Sequence, residues 1–110
     1  MTRQEQLKIN VICDKVWENS MEEFTNTFKE HSCRWKRLDY CQAEVCSTEN
    51  YYFLKSYRTI VAVIDKNTDT LIDMLRSVYG YTPTSAKHIS KFGHRYGSGK
   101  WDVTNRYTYR

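Results

Sequence analysis

An unbroken apolar run, Ile60-Val-Ala-Val-Ile64, limits what this chain can become. Tyr51-Tyr-Phe-Leu54 precedes it and Thr70-Leu-Ile-Asp-Met-Leu75 follows it. Between the run and the second flank, Asp65-Lys-Asn-Thr-Asp69 supplies the turn chemistry of a polar reversal. β-Branched residues dominate, so these segments read as antiparallel strands. A strand with no polar alternation must be covered on both faces, and helices are the expected cover.

The flanking sequence offers those helices. Ile9, Ile12, Cys13, Val16 and Trp17 recur at helical spacing, as do Phe24 and Phe28. Ser20-Met-Glu-Glu23 fits a capping box, which predicts a break at Asn19-Ser20 and a second helix from Met21. A strand over Leu7–Cys13 is the alternative, because Ile and Val are β-branched. After a break at Tyr79-Gly-Tyr81, Thr84 is the expected cap of a helix running through Ser85–Phe92. Gly93 should stop it, with Ile89 and Phe92 facing the core. Trp101 to Tyr109 is expected to form a last strand.

Residues 31–50 show no clear period, and they hold three of the four cysteines: Cys33, Cys41 and Cys46, with His31 nearby. Thiolates gathered beside a histidine suggest a bound soft metal, zinc above all. The ligand set would be Cys13, Cys33, Cys41 and Cys46, with His31 as the alternative to Cys13. The spacing matches no standard zinc finger or ribbon. Ordinary buried thiols remain an alternative, as do disulfides. The fold class expected is therefore α+β: N-terminal helices, a cysteine-rich metal loop, and an antiparallel β-hairpin sheet packed with one helix. With 110 residues, a single small domain is expected over 1–110, its helical, cysteine-rich part in 1–50 and its β-hairpin–helix–strand part in 51–110.

Charge is divided unevenly. Residues 1–50 carry 7 basic and 9 acidic side chains, net −2, and residues 51–110 carry 10 and 4, net +6. The basic half is the one expected to meet an anion, either nucleic acid or an acidic surface. Lys87, Lys91, Arg95 and Arg106 are the candidate partner-binding residues, interleaved with tyrosines. Lys87 and Lys91, four apart, should share one helix face opposite Ile89 and Phe92. No apolar run reaches the length of a membrane span, and no signal-peptide core is present, so a soluble, intracellular protein is expected. Catalysis is not expected: the chain has no phosphate-binding glycine loop, no Gly-x-Ser-x-Gly and no His-Glu-x-x-His. His88 and His94, six apart, do not share a helix face, and a Cys–His nucleophile would need help from the fold.

Ser56-Tyr57-x-Thr59-Ile-Val-Ala62 with Ile64-Asp65, then Tyr79-x-Tyr81 and Thr84-Ser85-x-x-His88-Ile89-x-x-Phe92, resemble a module of small uncharacterised proteins of Gram-positive bacteriophages and mobile elements. The resemblance covers Tyr51–Tyr96, under half the chain, and contains no catalytic motif. It implies a phage or mobile-element protein working in the host cytoplasm. That pool includes anti-CRISPR inhibitors, some of them metal-binding, so the implied partner is a host type II CRISPR effector nuclease or its guide–DNA complex. The basic balance argues against a DNA mimic. A small nucleic-acid-binding phage protein is the alternative expectation.

Overall fold

The computed structural model describes residues 2–30, 34–38, 42–80, 82–97 and 106–109. Helix α1, Arg3–Glu30, opens the chain. Strands β1 (Lys36–Arg37), β2 (Ala43–Ser47), β3 (Tyr51–Ser56), β4 (Thr59–Asp65) and β5 (Thr70–Asp73) follow. Then come α2 (Leu75–Val78), α3 (Pro83–Tyr96) and β6 (Arg106–Thr108). The protein is α+β, and among the described residues its six strands form one sheet in the order β1-β2-β3-β4-β5-β6. Every neighbouring pair is antiparallel except β5 and β6, which run parallel. A parallel neighbour needs a crossover, and α2 and α3 lie within that connection.

Both faces of the sheet are covered, as the Ile60–Ile64 run requires. On one face Cys46, Phe53, Val63, Ile72 and Met74 pack with Cys13 of α1, flanked by Ile9, Val16, Trp17, Met21 and Phe24. On the other, Val45, Leu54, Ala62, Ile64 and Leu71 pack against Ile89 and Phe92 of α3. Strict alternation would send Val61 to the α1 side. Instead a bulge shifts the register, pairing Leu54 with Ala62 but Lys55 with Ile60. Val61 is the extra residue, so it and Ala62 both join the α3-side cluster.

Two expected breaks are absent. Helix α1 runs through Asn19-Ser20 without interruption. Its cap is Thr2, whose Oγ1 accepts from Glu5 N at 3.2 Å. Ser20 is buried and donates to the Trp17 carbonyl at 2.8 Å, a bond within the helix. Glu23 caps nothing. Its carboxylate accepts from the Thr48 hydroxyl, from Asn50 N at 3.1 Å and from Asn50 Nδ2 at 2.6 Å, tying the β2–β3 turn to α1. Burial alone would raise its pKa, but these bonds and the charge of Lys66 hold it below the usual carboxylate value. Gly93 likewise does not stop α3. It lies buried inside the helix, which ends at Gly97. The 31–50 segment also differs from the expected loop, since it contains β1 and β2. Cys33, Cys41, His31, Trp101 and Val103 lie outside the described residues, so most of the expected ligand set and the start of the last strand do too.

Candidate functional site

Helix α3 is built to present one face. Thr82, not Thr84, is its cap: the Thr82 Oγ1 accepts from Ser85 N at 3.1 Å, and Pro83 fills the first turn. Ser85, His88, Ile89, Phe92 and Gly93 are buried. Thr84, Lys87, Ser90, Lys91, His94 and Arg95 are exposed. Lys87, Lys91 and Arg95 follow one another at intervals of four, so they form one ridge. The helix contains no Asp or Glu. Among the described residues no carboxylate pairs with Lys87 or Lys91. Like charges at this spacing repel one another by a few tenths of a kcal/mol, so the ridge is not there for the helix's own stability.

The inner side of α3 is fixed by a polar cluster. Ser56 Oγ at the end of β3 lies 2.9 Å from Ser85 Oγ and 2.9 Å from His88 Nδ1. All three residues are buried. A Ser hydroxyl can donate to one of these partners while accepting from the other, so the cluster is satisfied with His88 neutral. Burial, reinforced by the Lys91 charge, pushes the His88 pKa below its usual value. Residues 29 and 32 positions apart in the chain therefore meet at this point. The spacing of Ser85 and His88, three apart on a helix, was the available signal that they share a face. Ser56 had no such signal, because its pairing is made by the fold.

This cluster makes stability depend on pH. As pH falls through about 6.5, the unfolded chain takes up a proton at His88 before the folded one does. The stabilisation is complete above that pH and is lost on acidification. We expect the melting temperature to fall between about pH 7 and about pH 5, and to fall less in His88→Asn. Equal slopes in parent and variant would remove His88 as the cause.

The remaining candidates fall elsewhere. Arg106 stands on edge strand β6, where its charge acts on Asp73, so it has a carboxylate neighbour that the two lysines lack among the described residues. Burial still raises the Asp73 pKa overall. Cys13 and Cys46 are thiols in the α1-side cluster. Burial, helped by the charges of Asp14 and Asp73, pushes the Cys13 thiol up to about 12. His88 is on the opposite face of the sheet, so neither thiol forms a Cys–His pair with it. Among the described residues no group of three or more His, Cys, Asp or Glu side chains gathers as a metal site would. No described helix is long and apolar enough to cross a membrane.

Fold and surface together define a small α+β protein with one helix kept free of acids on its solvent side. The chain belongs to a family of unknown function (DUF8033), which it matches over residues 21–107. That span includes Ser56, Tyr57, Lys87, His88 and Lys91, and excludes Cys13. No curated protein and no solved structure matches the chain significantly.

Proposed function

We propose that this is a non-catalytic nucleic-acid-binding protein that meets phosphates with the solvent face of α3. The observation that carries this reading is the Lys87–Lys91–Arg95 ridge on a helix without a carboxylate. Such a ridge matches a phosphate backbone in charge, and phosphate contacts supply most sequence-independent affinity. Ser56 and His88 place a hydroxyl beside an imidazole, but they are only 2% and 4% exposed. Their bonding holds α3 to β3. A salt titration tests the reading: affinity for a DNA or RNA oligonucleotide should fall linearly on a log–log plot as salt rises. Salt-independent binding, or none, would reject it.

The phage-module resemblance favours a second reading, inhibition of a host type II RNA-guided nuclease by docking on its guide–DNA complex. That reading requires capture of the effector complex and inhibition of cleavage where free nucleic acid is not bound.

Zinc is a separate proposal, carried by the gathering of Cys33, Cys41 and Cys46 in one short segment beside His31. Cys46, and Cys13 if it joins them, would have to lose its proton to ligate, whereas the described surroundings of Cys13 favour the thiol. Elemental analysis of protein purified without added metal should find about one zinc per chain if four ligands close a structural site. Metal-free protein that melts as sharply as the parent preparation would leave the cysteines as core thiols.

A further inference from the structure

We propose that Tyr57, at the tip of the β3–β4 turn, is a stacking residue for an unpaired base, so that this surface takes single-stranded nucleic acid in preference to duplex. The proposal rests on the nucleic-acid reading above and gives it a substrate class.

Tyr57 has φ 58°. Glycine and asparagine occupy the left-handed region cheaply in short hairpin turns, whereas a bulky side chain there is costly. The backbone is nonetheless well held, with Tyr57 N donating to the Gln42 carbonyl at 2.8 Å. Nor does core burial explain the ring, because Tyr57 is 47% exposed. A bulky aromatic in a strained, exposed position contributes little to folding, and such outliers gather at functional sites.

The ring is also placed. Its centroid lies 6.0 Å from that of His88, at an interplanar angle of 53°. His88 is locked by Ser56, so α3 itself sets where Tyr57 stands. Lys87 adjoins His88 in the chain, and Lys91 is near enough to act on its charge. Arg58, the next turn residue, is exposed as well. Tyr57 also borders a cleft of about 230 Å³ lined by Arg37, Gln42, Ala43 and Glu44. The one carboxylate there, Glu44, lies 3.7 Å from the Lys55 ammonium, which offsets its charge. Together these residues give a ring for a base and, on the adjoining solvent face of α3, cations for the backbone. A single strand can offer both a free base face and phosphates, whereas a duplex keeps its base faces stacked inside.

The test is fluorescence anisotropy with a labelled oligothymidylate of about 15 nucleotides, and with a duplex of equal length, at one fixed salt concentration. Four proteins are compared: the parent, Tyr57→Gly, Tyr57→Phe and the double variant Lys87→Glu/Lys91→Glu. Glycine suits the positive φ, so Tyr57→Gly should not lower the melting temperature. It should weaken single-strand binding about tenfold, the loss expected for one stacked base, and leave duplex binding unchanged. Tyr57→Phe should bind as the parent does. The inference is overturned if Tyr57→Gly binds the oligonucleotide like the parent, or if the parent prefers duplex. Loss of binding in the lysine variant alone would then leave the nucleic-acid reading standing. If no protein binds either probe, both fall.

Discussion

Reversing Lys87 and Lys91 to Glu should abolish most nucleic-acid binding while leaving the fold intact. Both side chains are exposed on α3, and among the described residues neither is paired with a carboxylate. Each reversal removes a phosphate contact and adds a repelling charge, so affinity should fall on the order of tenfold per lysine near physiological salt. The slope of log affinity against log salt should shrink by about 1.4 for a single strand, two contacts at about 0.7 each. Stability should move the other way. Lys91→Glu places a carboxylate one turn before Arg95, which exchanges a repulsion for an attraction of a few tenths of a kcal/mol. Exposed substitutions rarely exceed about half a kcal/mol in any case. The check is a pair of measurements on one preparation, thermal melting and a salt series of anisotropy titrations. Unchanged affinity in the double variant would move the binding surface off α3. If effector capture and nuclease inhibition fall instead, with free oligonucleotide ignored throughout, the inhibitor reading gains.

Phe92→Ala should be the more damaging change, and its damage should reach the same surface. Phe92 is fully buried between α3 and the sheet, with Tyr96 packed beside it at 5.9 Å between ring centroids. Truncating a buried Phe to Ala removes its transfer energy and leaves a cavity, at a cost of about 3–5 kcal/mol. Small domains have only about 5–15 kcal/mol in total, so a large share of the stability is at stake. A fall in melting temperature on the order of 15 °C is expected for a chain of this size. Binding measured just below the variant's own melting point should fail with the helix, because the lysine ridge depends on α3 being docked. Phe92→Leu, which keeps most of the volume, should retain binding. A loss under about 1 kcal/mol in Phe92→Ala would contradict the packing of α3 on the sheet.

Two of the S/T-x-x-E patterns along the first thirty residues show how far sequence carries. Thr2-x-x-Glu5 and Ser20-x-x-Glu23 carry the same local signal, and only the first marks a helix start. The second is overridden because Glu23 binds Thr48 and Asn50, residues 25 and 27 positions away, and because Met21 and Phe24 continue the apolar stripe over the sheet. The same competition decides Gly93. Its local preference is to end a helix, but the next turn brings Tyr96 onto Tyr52 at 5.1 Å, and the helix continues. Strand β2 has no local signal for a related reason. Five residues containing a cysteine read as a ligand loop until β3 supplies the partner, with Val45 opposite Leu54.

The sequence by itself determined the elements whose signal is local and strong. The apolar run from Ile60 to Ile64 demanded a strand covered on both faces. The Asp65–Asp69 turn set the β4–β5 reversal. The spacing of Lys87 and Lys91 against Ile89 and Phe92 assigned the outer and inner faces of α3. Tertiary structure decided what depends on distant residues meeting: the unbroken α1, the parallel docking of β6, and the junction of Ser56, Ser85 and His88 beneath an exposed Tyr57. Periodicity is carried by neighbours three or four positions apart, so one chain segment can display it. A hydrogen bond across 29 or 32 positions has no such pattern, because it exists only once the sheet has brought its two ends together.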